Sequence, residues 1–164
     1  METVGQPAAG DARIGTANEQ LRKANRALRM ISDCHQELLR ATKEADLLQG
    51  ICRIAVEHGG FRMVWVGFAE QDPAKSVRPV AQYGFEKGYL DNLNISWADT
   101  ERGRGPTGTA IRTLQPVLAR NILTDPTSGP WREAAIAQDY ASSLALPLVV
   151  NGRSYGAKPV CCRA

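Results

Sequence analysis

Apolar side chains in the first quarter of the chain recur at alternating steps of three and four residues. Residues 17–42 contain neither Gly nor Pro, and Thr16 or Asn18 can cap the start of a helix. The spacing therefore predicts one long helix over 17–42 whose apolar residues occupy heptad a and d positions. Six of them form the candidate dimer interface: Leu21, Ala24, Leu28, Ile31, His35 and Leu38.

This stripe of six residues is only weakly apolar, because Ala24 and His35 occupy two of its positions. It can pair with a second copy of the chain as a parallel coiled coil, or it can pack on its own domain. A helix of this length extends for about 40 Å at 1.5 Å per residue, which is longer than a small domain. The length favours a homodimer, in which His35 tunes the pairing rather than binding a ligand.

The chain continues with a second amphipathic helix, predicted over 43–58 and ended by Gly59-Gly60. Residues 61–69 are apolar at both odd and even positions, with the exception of Arg62. This pattern is typical of a strand that is covered on both faces. A turn then leads to a second strand over 77–83. We expect these two strands to form a hairpin within a sheet.

Short elements fill the C-terminal half. The expected elements are a helix over 85–93, a brief helix ending near Thr113, a strand over 115–118, a helix over 131–138, and strands over 142–150 and from Arg153 onward. Asn151-Gly152 joins the last two strands and is the sequence that a type I′ hairpin turn favours. Strands mixed irregularly with short helices indicate an α+β fold around an antiparallel sheet.

The length of 164 residues suits a single globular domain. We predict a flexible leader over 1–16, the long helix over 17–42, the domain over 43–160 and a tail over 161–164. The 20 Lys and Arg and the 17 Asp and Glu give a net charge of +3 that is spread along the chain, so neither nucleic acid nor membrane is expected as a partner. Without a signal or membrane-spanning pattern, the predicted location is cytoplasmic.

The four cysteines and two histidines exclude several chemistries. Neither residue type occurs between Gly59 and Val160, so this region holds no Cys/His metal site, no Cys–His pair and no Ser-His-Asp triad. We therefore expect no metal and no catalytic residue. Cys161 and Cys162 are expected to be reduced surface thiols.

Residues 103–108 match the dinucleotide pattern GxGxxG. That fingerprint requires a preceding hydrophobic strand, but Asp99-Thr100-Glu101-Arg102 precedes it here, and Pro106 lacks one of the N–H groups that would face a pyrophosphate. We do not expect a nucleotide cofactor at this segment.

A set of short motifs, in one unbroken order over residues 40–157, resembles the GAF domain family of bacterial multidomain sensors. The motifs are Met63-Val64-Trp65-Val66-Gly67, Gly103 to Ala110, Gln115-Pro116-Val117, Asn121-Ile122, Asp125-Pro126, Trp131, Ser142 to Leu148, Gly152 and Tyr155-Gly156. The resemblance implies an antiparallel sheet of about six strands, with helices on one face and a small-molecule pocket, walled by loops, on the other.

Candidate ligand-binding residues lie close to these motifs. They are Trp65, Tyr83, Thr107, Thr109, Asp125, Trp131, Tyr140 and Ser142. Gly105 and Gly108 flank a short helix whose free N–H groups could face an anionic or carbonyl-bearing ligand. The alternative is that the glycines only permit tight turns and the aromatic residues fill the core.

Departures from the family pattern narrow the expected ligand. Asn121-Ile122 lacks the Lys of the cyclic-nucleotide members, and the domain lacks the Cys or His that bilin or haem would require, so no cofactor is expected. Pro106-Thr107 stands where the free methionine sulfoxide reductases of this family carry a Cys. A small polar metabolite remains as the expected ligand, with a separate output protein as a second partner.

The sequence therefore predicts a non-catalytic sensory or regulatory GAF module that dimerises through its N-terminal helix. The alternatives are a purely structural dimerisation module with a collapsed pocket and a degenerate sulfoxide reductase or hydrolase. An open pocket of a few hundred Å³ would distinguish a sensor from a structural module. Pro159 is disfavoured in a central strand, so the last strand is expected to be short or to fray from Lys158, as in a truncated remnant.

Overall fold

A computed structural model describes residues 9–84, 88–90 and 93–162. The first helix, α1, spans Ala9–Arg40 and so begins earlier than predicted. Residues 9–16, expected in the flexible leader, are helical, because Ile14 continues the apolar stripe one heptad before Leu21 and the two glycines in this stretch do not break the helix. Residues 1–8 of the predicted leader lie outside the described part of the chain.

Helix α2 spans Glu44–Gly59 and packs against α1. It ends at Gly60, whose φ of 75° lets its N–H reach the carbonyl of Val56 at 3.2 Å. Gly50 leaves room for the Glu37 side chain of α1, and His58 of α2 contacts the Asp33 carboxylate. These contacts fix α1 along α2.

The described strands form one antiparallel sheet in the order β2-β1-β5-β4-β3. They are β1 Met63–Ala69, β2 Val77–Gly84, β3 Val117–Ala119, β4 Ser142–Val150 and β5 Arg153–Cys162. The α+β class and the antiparallel sheet are confirmed, with five strands where about six were expected. The hairpin between β4 and β5 turns at Asn151 (φ 50°) and Gly152 (φ 73°), as a type I′ turn requires.

The prediction that the last strand frays from Lys158 is wrong. Strand β5 runs through Pro159 to Cys162, so the expected tail begins within the sheet. Pro159 pairs with Ala145 of β4, while the β1–β5 ladder pairs Val64 with Val160 and resumes at Gly67 with Ala157. The proline removes one donor from the β1 side, and the pairs on both sides of it hold the strand in place.

Helices cover both faces of the sheet. On one face, Cys52 and Ala55 of α2 pack against Val64, Val66 and Val160. The opposite face is covered by α3 (Pro106–Thr113), α4 (Arg132–Ala137), short 3-10 helices over Glu101–Gly103 and Pro126–Trp131, and loops. The helix predicted over 85–93 falls partly on residues outside the described part. No helix in the described ranges has the length and apolarity to cross a bilayer.

Candidate functional site

A small cavity lies between the sheet and the N-terminal end of α3. Its volume is about 50 Å³, and strands β1, β4 and β5 provide its floor through Trp65, Ser143, Pro159 and Cys161. A water needs about 10–15 Å³ measured in this way, so the cavity has room for about four groups of that size. It is smaller than the pocket of a few hundred Å³ that the sensor interpretation led us to expect.

Two indole rings form flat walls of the cavity. Trp65 is buried in the centre of β1. Trp131, at the end of a 3-10 helix, is fixed by a 2.9 Å hydrogen bond from its Nε1–H to the carbonyl of Leu93. Its ring lies directly against Gly105, where a Cβ would collide with it. The walls are therefore apolar and held in place by specific contacts.

The start of α3 supplies polar backbone to the same cavity. Gly105 is the N-cap residue, Pro106 is the first helical residue, and both line the cavity together with Thr107. The N–H groups of Thr107 and Gly108 donate no hydrogen bond to any group in residues 9–84, 88–90 or 93–162. These unpaired donors stand at the positive end of the helix dipole.

Two buried hydroxyl groups complete the polar part of the lining. Thr107 is 8% exposed and Ser128 is 4% exposed, and both residues line the cavity. Neither hydroxyl makes a hydrogen bond within the part of the chain that the structure describes. Neither oxygen atom is among the fully buried unpaired atoms of the described residues, so both hydroxyls are accessible to an occupant of the cavity.

Arg112, in the last turn of α3, holds the loop that precedes this helix. Its Nη1 donates to the carbonyls of Trp97 (3.1 Å), Ala98 (2.9 Å) and Gly103 (2.5 Å). Gly108 packs so closely on the Gly103 carbonyl that a side chain would not fit there. Arg112 therefore positions the start of α3 without lining the cavity.

Three of the eight predicted ligand-binding residues line the cavity, namely Trp65, Thr107 and Trp131. Tyr140 is buried in the same core cluster and meets the cavity-lining Tyr89 edge to face, with the ring centroids 5.1 Å apart. Burial raises the pKa of Tyr89, so its phenol stays neutral at physiological pH.

The structure does not bring the other four predicted residues to this cavity. Tyr83 packs on the α2 face of the sheet, where its hydroxyl donates to Glu57 at 2.9 Å. Thr109 instead donates to the carbonyl of Arg104 at 3.0 Å. Asp125 caps a 3-10 helix by accepting from the N–H of Thr127 at 2.8 Å.

Ser142, the last of the four, does not line the cavity, whereas its neighbour Ser143 does. Successive residues of a strand point to opposite faces, and in β4 it is Ser143 that lines the cavity. Ser143 pairs with Cys161 of β5, which also lines the cavity. Strand alternation was the available signal for Ser143, but it could be applied only once the register of β4 was known.

Cys161 and Ser128 were not among the predicted site residues. The expectation that Cys161 is a surface thiol is wrong, because β5 carries it into the sheet and leaves it 4% exposed. The side chain of Cys162 lies outside the described part. Ser128 follows Asp125-Pro126 in a segment predicted as loop, which gave no pattern from which to infer burial.

The fold and the site together define an α+β domain in which one sheet separates helix α2 from a cavity walled by α3, α4, a 3-10 helix and loops. A family model for the GAF domain matches residues 41–157, which is more than two thirds of the chain. The protein therefore belongs to the GAF domain family.

Several solved structures share the fold at low sequence identity. The GAF domain of a phosphoenolpyruvate-protein phosphotransferase from Coxiella burnetii is similar with a TM-score of 0.68 and 16% identity, over 82% of this chain and 76% of that one. The free methionine-R-sulfoxide reductase of Neisseria meningitidis, solved with its substrate, is similar with a TM-score of 0.63 and 17% identity, over 84% of this chain and 75% of that one. A NreA protein from Staphylococcus aureus, mutated in its nitrate binding site, is similar with a TM-score of 0.58 and 16% identity, over 74% of this chain and 87% of that one. A comparison with curated protein sequences gives no match.

Proposed function

We propose that this GAF domain is a non-catalytic sensory or regulatory module that binds a small molecule in its cavity and dimerises through α1. The observation that carries the proposal is the cavity itself, which has fixed aromatic walls and is lined by Thr107 and Ser128, whose hydroxyls make no hydrogen bond in the described part of the chain. The cavity is smaller than the few hundred Å³ expected of a sensor, so the molecule that we propose it binds is correspondingly small.

The exposed stripe on α1 supports the dimer. Its large members Leu21, Leu28, Ile31 and Leu38 are between 49% and 64% exposed, and the earlier start of the helix adds Ile14 to the same line. Ala24 and His35 are exposed as well. Such a line of exposed leucine and isoleucine is typical of a surface that a partner covers.

The stripe faces away from the side of α1 that packs on the domain. The domain side is partly buried and includes Met30, Asp33, Cys34 and Glu37. At 100° per residue, the mean directions of the two sides differ by roughly 150°. This arrangement disfavours the alternative in which the stripe packs on its own domain, and it leaves the stripe accessible to a second copy.

A continuous series of contacts connects the cavity with α1. On β1, Trp65 faces the cavity, while Val64 and Val66 pack against α2 on the opposite side of the strand. Helix α2 in turn contacts α1 at Gly50 and His58. We propose that a ligand favours one packing of the α1 pair over another, for which a coupling of about 1–3 kcal/mol is sufficient. A separate output protein would read the change.

The size of the cavity restricts the ligand. At about 50 Å³ it is a third of the roughly 150 Å³ that admits benzene in an engineered cavity. Nucleotides, bilins and haem are far too large for it.

A degenerate sulfoxide reductase is the second candidate, and Cys161 in the cavity is the observation that favours it. Reduction through a resolving disulfide requires a second nearby thiol. Of the other thiols that the structure describes, Cys52 packs on the α2 face of the sheet and Cys34 belongs to α1. Reduction of free methionine sulfoxide by the purified protein would favour this candidate over the sensor.

The test of the dimer is sedimentation and native mass spectrometry of the wild type and the Leu28→Glu variant. We expect a wild-type dimer at tens of micromolar and a monomeric variant, because a buried glutamate in the seam is strongly unfavourable. Gln36→Glu adds the same charge to an exposed position of α1 outside the stripe and should leave the dimer intact.

The same native spectra report any retained small molecule. A dimer with additional mass that is lost on denaturation supports the sensor. A dimer without added mass, whose stability no small molecule alters, supports the purely structural module. A wild-type monomer at these concentrations refutes signalling through α1.

A further inference from the structure

The groups that remain unpaired around the start of α3 and the cavity supply four hydrogen-bond donors. The N–H groups of Thr107 and Gly108 can only donate, and the hydroxyls of Thr107 and Ser128 can each donate one hydrogen. The residues Thr107 and Ser128 are more than nine-tenths buried and line the cavity together with Gly105 and Pro106, whereas Gly108 follows them on α3 without lining it. An occupant that accepts several hydrogen bonds would satisfy them all.

Among the lining residues that the structure describes, the electrostatic character comes from the backbone. No Asp, Glu, Lys, Arg or His belongs to the described lining. The start of α3 carries a partial positive charge of about half a unit, which favours a negative occupant. A single negative charge suits this environment, whereas a doubly charged anion would lose more hydration than one helix end restores.

The space and the walls restrict the shape of the occupant. A volume of about 50 Å³ accommodates about three or four non-hydrogen atoms. Trp65 and Trp131 present flat apolar rings, which suit a small ion with an apolar face or substituent.

We propose that the cavity binds a monovalent oxoanion of three or four non-hydrogen atoms. Its oxygen atoms would accept hydrogen bonds from the N–H groups at the start of α3 and from the hydroxyls of Thr107 and Ser128. This inference rests on the proposed sensory function and specifies the chemical class of its ligand.

The test is a titration followed by ¹⁵N–¹H NMR, with formate, nitrate and acetate as probes. Formamide and acetamide serve as neutral probes of nearly the same shape. Ionic strength is kept constant with sodium gluconate, whose anion is too large for the cavity. We expect saturable shifts of the Thr107 and Gly108 amide signals with at least one anion below about 10 mM, and affinity at least tenfold weaker for the matching amide.

Two variants connect the shifts to the cavity. Thr107→Val and Ser128→Ala each remove one hydroxyl with little change in volume, and each should raise the dissociation constant about tenfold. Thr113→Val is the matched control, because Thr113 lies on the same helix and its hydroxyl donates to the Thr109 carbonyl at 2.8 Å, away from the cavity. Its dissociation constant should equal that of the wild type.

Equal affinity for acetate and acetamide would overturn the anion proposal while leaving a small-molecule sensor in place. Anion shifts that do not saturate, or that are unchanged in Thr107→Val and Ser128→Ala, would overturn it as well. The absence of any shift up to about 50 mM would exclude the anion class. The sensory function itself would fail only if the neutral probes also had no effect and the native protein retained no small molecule.

Discussion

Replacement of Gly105 by alanine tests whether the wall of the cavity depends on contact between this residue and Trp131. The backbone of Gly105 has φ −67° and ψ 173°, which alanine adopts without strain. An added Cβ, however, would lie 2.5 Å from Cη2 of Trp131 and closer still to Cζ3. Carbon atoms in contact normally stay about 3.5–4.0 Å apart, so the ring or the backbone must retreat by about 1 Å or more.

The cost of this displacement follows from two contributions. Overpacking of a well-filled site typically costs about 1–3 kcal/mol. A displaced indole also weakens the hydrogen bond from Trp131 to the Leu93 carbonyl, for a further loss of about 1 kcal/mol. We therefore expect Gly105→Ala to lower the free energy of unfolding by about 2–4 kcal/mol. This free energy is measured by urea denaturation, with tryptophan fluorescence as the signal.

Gly129→Ala is the matched control in the neighbouring 3-10 helix. A Cβ on Gly129 would meet no atom within 4 Å, and its φ lies outside the left-handed region. This variant should be neutral or slightly stabilising, because alanine reduces the conformational entropy of the unfolded chain. If Gly105→Ala were as stable as Gly129→Ala, Trp131 would not be held against Gly105. The conclusion that Trp131 is a fixed wall of the cavity would then be wrong.

Two further predictions concern the support of the site and the core of the opposite face. Arg112→Leu should lower the free energy of unfolding by about 2–4 kcal/mol in urea titrations, because three carbonyls lose their hydrogen-bond donor. Arg112→Lys should recover part of this loss. If Arg112→Leu were as stable as the wild type, the positioning role of Arg112 would be contradicted. Burial raises the pKa of the Cys52 thiol to about 11, whereas an unfolded thiol ionises near about 8.5. The burial of the protonated thiol contributes stability that is fully present below the unfolded pKa and is lost as the pH rises through the folded pKa. The wild type should therefore lose more stability than Cys52→Ala between about pH 8 and about pH 10.5. Equal losses in the two proteins would refute this prediction.

The sequence was sufficient for the class of fold and for most elements. The period of the apolar residues predicted α1 and α2, and the dipeptide Asn151-Gly152 identified the last hairpin. These are local signals, because a helical face or a turn is specified by residues that are neighbours in the chain. The start of α1 was misplaced because residues 1–16 were predicted to be a flexible leader, whereas the helix begins at Ala9.

The site was predictable only in part. Trp65, Thr107 and Trp131 lie in motifs whose order along the chain identified the region, and all three line the cavity. Tyr83 and Ser142 do not line the cavity, because a shift of one residue along a strand exchanges the two faces of a sheet. Sequence alone does not give the register that decides between them.

The sequence by itself determined an α+β chain with an apolar stripe along its first helix and a tight final hairpin. Only the tertiary structure decided that Pro159 is accepted within the central strand and that Cys161 is buried. It also decided that the cavity measures about 50 Å³. The physical reason is that local pattern depends on neighbouring residues, whereas strand register and the space between packed side chains depend on residues distant in sequence.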